Sequence, residues 1–189
     1  MIEVWRVDLD LAAAPEPTAG EAARAARFAR PELARRYLAA HGALRAVLGR
    51  WTAAPIEFAL GERGKPYLPL APEVRFNLAR SGGRGLIAVA RGIEVGVDVE
   101  RMRPVANYEA LAERYFPPGE EAPGDDAGFL RRWTELEAVW KARGAGLYGS
   151  GMPLEEGWSV AAVDAGEGYV AAVAWAGVAR AVRVREYGG

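Results

Sequence analysis

The stretch Val95-Gly96-Val97-Asp98-Val99-Glu100 constrains this chain more than any other. Side chains of a strand alternate with a period of two, so the three valines point one way and Gly96, Asp98 and Glu100 the other. The valine face requires a core. The opposite face sets two carboxylates side by side, and they repel unless something positive sits between them, either an arginine or a metal ion. Any fold for this chain must bury the valines and leave room for a positive charge on the other face.

The 189 residues, 51% of them apolar, suffice for one large domain or two small, tightly joined halves. No apolar run approaches the ~18 residues of a membrane span. The opening MIEVWRVDLD reads as a strand and not as a signal peptide, which leads us to expect a cytoplasmic protein. The absence of cysteine excludes disulfides, thiol catalysis and cysteine-ligated zinc. With His41 as the single histidine, a histidine-rich metal site or a Ser-His-Asp triad is a poor fit. A net charge of −1 gives no global field to attract nucleic acid. Lysine and arginine total 24, yet only Lys65 and Lys141 are lysines. A general preference for arginine explains the rest. Two surviving lysines suggest sites that need a compact ammonium and not a planar fork.

Periodicity predicts an α+β fold with mostly antiparallel sheets. Residues 1–9 read as a strand. Residues 31–50 read as an amphipathic helix with Pro31 in its first turn and a stripe of Leu33, Tyr37, Leu38, Leu44, Val47 and Leu48. GLIAVARG and IEVGVDVE read as a hairpin turning near Arg91-Gly92. A helix follows over 107–116, and then a helix over 127–144 that Asp125 or Asp126 can cap. After the loop 144–157 come three strands. The order of helix, loop and antiparallel strands recurs, which places a boundary near 95–105.

Three places are candidates for chemistry. Glu137 and Lys141, four apart, share one helix face beside Trp133, Leu136 and Trp140. An ordinary surface pair is the bland alternative. Joined to Asp98 and Glu100, Glu137 completes a set of three hard oxygen ligands suited to Mg²⁺ or Mn²⁺, and Lys141 can then neutralise a phosphate. The segment 64–83, read as a loop, carries Lys65, Arg80, Ser81 and glycines that can hold an anion, or it is simply an irregular connection. On the first long helix Arg35, Arg36 and Arg50 fit a solvated face, whereas Arg45 sits beside the apolar stripe and can point inward.

These residues resemble the motifs of the 4'-phosphopantetheinyl transferases, in particular the single-chain, pseudo-dimeric type. The family's G-[I/V]-D-[I/V]-E is similar to GVDVE at 96–100, and its W-[T/S]-x-K-E-A-x-x-K-A to WTELEAVWKA at 133–142. The two lie about forty residues apart, and a paired motif is far more specific than either part. FPPGE at 116–120, GKPYL at 64–68 and FNLARSG at 76–82 resemble further family segments, so the likeness runs over about residues 30–147. The family's Ser-His is Ala79-Arg80 here, the lysine before the helix glutamate is Leu136, and the serine after Phe116 is Pro117.

The resemblance implies two similar halves, 1–95 and 96–189, related by pseudo-two-fold symmetry, with the cleft between them. It implies transfer of the phosphopantetheine arm of coenzyme A to a serine of an acyl or peptidyl carrier protein. Asp98, Glu100 and Glu137 would hold Mg²⁺ or Mn²⁺, with Glu137 as general base and Lys141 on a phosphate. Lys65, Arg80, Ser81 and Arg45 would hold the 3'-phosphoadenosine portion. An acidic carrier would dock near 107–116 on Arg114 and Phe116. A monomer is expected, with no nucleic acid or membrane partner. A noncatalytic coenzyme A- or carrier-binding relative, and another Mg²⁺-dependent pyrophosphate-cleaving enzyme, are the competing readings.

Overall fold

The computed structural model describes residues 1–13, 15–121, 123–144 and 157–188. The chain opens with strand β1 (Ile2–Asp8), a short helix α1 (Ala19–Ala25) and the long helix α2 (Pro31–Leu48). A small ribbon, β2 (Ala59–Leu60) with β3 (Pro66–Tyr67), precedes β4 (Val74–Ser81), β5 (Arg84–Arg91) and β6 (Val95–Arg101). Helices α3 (Tyr108–Tyr115) and α4 (Asp126–Arg143) follow, then β7 (Trp158–Ala162), β8 (Tyr169–Ala176) and β9 (Val182–Glu186). Two main sheets form, one ordered β4-β5-β1-β9 and the other β6-β8-β7. All pairings are antiparallel except β1 with β9, which is parallel.

The layers follow from which faces are apolar. Helix α2 lies on the first sheet over Trp5, Val7, Phe76, Ile87 and Val89. The other face of that sheet, with Ile2, Val4, Leu86 and Ala88, meets Val95, Val97, Val99 and Val173 of the second. The outer face of the second sheet packs Ala172 and Ala174 against Ala138, Val139 and Ala142 of α4. The order is helix, sheet, sheet, helix, and it explains the alternation at 95–100. The valines fill the core between the sheets, and Gly96, Asp98 and Glu100 turn to the side of α4.

Three expectations need correction. The hairpin predicted across 84–100 does not form. Strand β5 has β4 on one side and β1 on the other, so no edge is left for β6, which pairs with β8 in the second sheet. The real hairpin is β4–β5, turning at Gly82-Gly83. Secondly, much of the segment read as a loop over 64–83 is strand β4. Thirdly, the buried stripe of α2 is lined mainly by Ala39, Ala40, Ala43, Leu44, Val47 and Leu48, while Leu33, Tyr37 and Leu38 are only half-buried. Alanines let this helix approach the sheet closely. The last strand crosses back, so the first sheet takes its fourth strand from the C-terminal end of the chain.

Helix α4 carries its own start and stop signals. The Asp125 carboxylate accepts a hydrogen bond from Gly128 N–H at 2.6 Å, and Gly144 ends the helix with φ +67°. That left-handed residue is the usual glycine stop. Most of the loop 144–157, Gly146 included, lies outside the described residues. No helix of the described residues is long and apolar enough to cross a membrane.

Candidate active site

The site forms where β6 and α4 touch. Gly96 allows the approach: a Cβ there would lie inside contact distance of the Ala138 carbonyl and the Ala142 amide, and 2.9 Å from Ala142 Cα. One residue pair along the strand, Asp98 faces the same helix. Lys141 Nζ donates to Asp98 Oδ1 at 2.5 Å and lies 3.2 Å from Glu137 Oε2. Asp98 is 5% exposed, and its second oxygen, Oδ2, is buried with no hydrogen-bond donor among the described residues.

Burial pushes the Asp98 carboxyl up to about 7, against the pull of Lys141, and the charges of Glu137 and Glu100 add to the rise. Burial lowers Lys141, but Asp98 and Glu137 outweigh it and its pKa ends above the ordinary lysine value. Lys141 joins Asp98 of the strand to Glu137 of the helix, and Glu137 and Glu100 line the same cleft.

Each of the three carboxylates has one oxygen held by the protein. Asp98 Oδ1 and Glu137 Oε2 face Lys141, and Glu100 Oε2 accepts from Ser81 Oγ at 3.0 Å. Asp98 Oδ2, Glu137 Oε1 and Glu100 Oε1 take no hydrogen bond among the described residues. This donor set suits a hard divalent cation such as Mg²⁺ or Mn²⁺. Among the described residues no three acidic side chains are already gathered into a metal cage. The ammonium of Lys141, bonded to two of the three, supplies the positive charge that the sequence demanded.

Two openings flank the cluster. A cleft of about 530 Å³ has Glu100 and Glu137 in its wall with Arg103, Leu111, Tyr115 and Trp133. On the other side of Lys141 a pocket of about 200 Å³ is lined by Arg63, Gly64, Lys65, Asn77 and Gly144.

The remaining candidate residues fall into place differently. The Lys65 ammonium donates to Glu94 Oε2 at 2.7 Å, the Ala142 carbonyl at 2.7 Å and the Val95 carbonyl at 3.2 Å. Its three protons are committed to tying the start of β6 to the end of α4. Arg45 points inward, as its position suggested, but forms an ion pair with Glu21 and donates to the Glu16 carbonyl at 2.9 Å. Arg80 lies with its guanidinium 5.4 Å from the centre of the Tyr37 ring and has no carboxylate partner among the described residues. His41 lies against the same ring, tilted by 40° with centroids 4.3 Å apart. Ser81 Oγ is turned to Glu100 and not to an anion loop. Phe116 cannot serve as a docking residue: it is buried at 3% exposure and stacked on Phe129 at 5.4 Å. Arg114 is exposed, over the Tyr115 ring.

The model of the 4'-phosphopantetheinyl transferase superfamily matches residues 94–183. The 4'-phosphopantetheinyl transferase HetI of Nostoc sp. is 34% identical over 168 residues, which is 77% of this chain and 70% of that protein. The chain belongs to the 4'-phosphopantetheinyl transferase superfamily. The transferase AcpT of Escherichia coli strain K12 is 35% identical, over 64% of this chain and 60% of its own length. A 4'-phosphopantetheinyl transferase of Bacillus subtilis is 33% identical, over 54% of this chain and 46% of its own length. The chain thus spans less than two thirds of these last two relatives.

For this superfamily member the sequence reading missed several supporting residues. Asn77, 8% exposed, accepts from Val97 N–H at 2.9 Å and joins β4 to the free edge of β6. A single asparagine inside the apolar strand Phe76-Asn77-Leu78 was the available signal, since a buried amide needs a partner. Glu94 holds Lys65, and nothing local distinguishes it from other surface glutamates. Arg132 grips Glu120 with two hydrogen bonds of 2.5 and 2.7 Å and Glu135 with one of 2.9 Å, which fastens the 117–120 turn to α4.

Proposed function

We propose that this protein transfers the 4'-phosphopantetheine arm of coenzyme A to a serine hydroxyl of a carrier protein and releases 3',5'-ADP. The observation that carries the reading is the meeting of Asp98, Glu137 and Lys141, brought together from a strand and a helix, with Glu137 lining one opening and Lys141 the other. In sequence the same residues stand on the two motifs that define the family.

In the reaction the serine oxygen bonds to the phosphorus nearer the pantetheine, and the bond from that phosphorus to the 3',5'-ADP oxygen breaks. The serine proton passes to Glu137. Lys141, held protonated by its two carboxylates, hydrogen-bonds the phosphate oxygens on which charge gathers. Asp98, Glu100 and Glu137 would hold Mg²⁺ or Mn²⁺, which supplies charge neutralisation to the diphosphate. Positioning of the two substrates on either side of Lys141 and Glu137 does the rest. The pantetheine arm fits the apolar cleft beside Trp133 and Tyr115, and the nucleotide lies on the side of Lys65 and Arg80. Arg80 offers the 3'-phosphate a guanidinium with no carboxylate partner among the described residues. Lys65 and Arg45 reach the nucleotide only by exchanging Glu94 and Glu21, so their first task is to shape its site.

The carrier is an acyl or peptidyl carrier protein of acidic character that meets Arg114 on α3. The recurrence of helix, loop and antiparallel strands is in keeping with the single-chain, pseudo-dimeric type, with halves at 1–95 and 96–189 acting as one monomer. The test is incubation with coenzyme A, Mg²⁺ and a panel of apo carrier proteins, read by intact mass. A gain of about 340 Da on a carrier, the phosphopantetheinyl arm, is the expected result. Coenzyme A cleavage with no mass gain on any carrier points to a pyrophosphate-cleaving enzyme. Binding with neither cleavage nor mass gain points to a noncatalytic relative.

A further inference from the structure

We infer that Ser81 is a positioning residue that orients Glu100 for the divalent cation. The inference rests on the function proposed above. Ser81 ends β4, in the first sheet, whereas Glu100 lies on β6 in the second. Its hydroxyl is fixed from both sides. Arg101 N–H donates to Ser81 Oγ at 3.0 Å, and Ser81 Oγ donates to Glu100 Oε2 at 3.0 Å. With the backbone amide on a lone pair, the hydroxyl proton has one carboxylate to point at.

Glu100 needs this hold more than its neighbours do. Asp98 is short, buried and bonded to Lys141. Glu137 sits one turn from Lys141 on a rigid helix. Glu100 has a longer side chain, 23% exposed, in the wall of the open cleft. Its other charged neighbour, Arg103, stands 3.8 Å from the same Oε2, beyond hydrogen-bond distance. Without Ser81 no other hydrogen bond among the described residues opposes a swing of that carboxylate toward Arg103. With Ser81, Oε2 is held and Oε1 is left for a cation. The seam that joins the two sheets, Asn77 to Val97 and Ser81 to Arg101, therefore also sets the direction of one acidic ligand.

The test uses the full chain with coenzyme A and no carrier protein, so that nothing turns over. Mn²⁺ binding is followed by electron paramagnetic resonance of the free ion. Ser81→Ala should weaken Mn²⁺ binding about tenfold, the size expected for loss of an outer support of a metal ligand. The Mg²⁺ concentration for half-maximal transfer should rise in step, while the KM for coenzyme A at saturating Mg²⁺ stays within about twofold. Ser81→Thr, which keeps the hydroxyl, should restore binding. Ser81→Cys keeps the volume but donates weakly, and should weaken Mn²⁺ binding even if Ser81→Ala fails to fold. In a Glu100→Ala background the loss of Ser81 should add nothing, whereas a merely structural role would give additive losses. Unchanged Mn²⁺ affinity in Ser81→Ala, or a raised coenzyme A KM alone, overturns the inference and leaves the proposed function standing. Absence of Mn²⁺ binding in the wild type overturns both.

Discussion

Lys141 Nζ stands 2.5 Å from Asp98 Oδ1, and the second oxygen of that buried carboxylate has no donor among the described residues. A buried carboxylate left half-satisfied is costly, and such groups concentrate where a ligand completes them. Asp98→Asn should therefore lower transfer at least about a hundredfold, because a neutral amide gives Lys141 no counter-charge and offers no anionic oxygen. Intact-mass kinetics on an apo carrier, with circular dichroism showing a native fold, checks this. Transfer within a few fold of wild type would remove Asp98 from the site.

Gly96 sets the distance between strand and helix. A methyl at this position meets the backbone of Ala138 and Ala142, which cannot rotate away. Gly96→Ala should cost about 3 kcal/mol or more, roughly 6–12 °C in Tm, and abolish transfer with it. A thermal melt close to wild type would contradict the packing described.

Lys65 is expected to act on stability before it acts on affinity. Lys65→Ala leaves two carbonyls and Glu94 without their shared donor and should cost about 2–3 kcal/mol in chemical denaturation. Lys65→Arg should not recover it, since a planar fork cannot meet three acceptors arranged around a point. An unchanged denaturation midpoint with a raised coenzyme A KM would make Lys65 a direct phosphate ligand instead.

Arg80 has no acidic partner among the described residues and is exposed. Arg80→Ala should raise the KM for coenzyme A about tenfold while kcat changes little, because the 3'-phosphate is remote from the reacting phosphorus. Dephospho-coenzyme A should bind wild type and variant alike. If wild type binds it as well as coenzyme A, the guanidinium serves another purpose.

His41 gives the fold an acid-sensitive point. Burial depresses its pKa below the ordinary histidine value, Arg80 and Arg45 add to this, and Glu21 opposes it. The unfolded chain then takes up the proton first, so stability is lost as pH falls below about 6.5 and is fully present above it. His41→Gln cannot take up that proton. Between pH 7.5 and 5.5 the wild type should lose more denaturation free energy than this variant. Parallel losses would show that His41 is not held neutral.

Local pattern carried much of this protein. Alternation at 95–100 placed the valines inward and the carboxylates outward, and four-residue spacing put Glu137 and Lys141 on one face of α4. Pro31 and Asp125 marked helix starts through backbone preferences that act within a few residues. Zero cysteine and a single histidine left oxygen ligands as the available metal chemistry. All of these signals are local, so they are legible in a linear chain.

Tertiary structure decided which strands pair and where each polar group finds its partner. Nothing in residues 84–100 says that β5 has both edges taken and that β6 must join another sheet. Nothing near Lys65 says that its protons go to residues 94, 95 and 142, and nothing near Ser81 that its hydroxyl turns to Glu100. Likewise Phe116 looks like a surface anchor until Phe129 covers it. Such outcomes depend on contacts between segments far apart in sequence, where the hydrogen-bond needs of one buried group are met by whichever donor the packing brings within 3 Å.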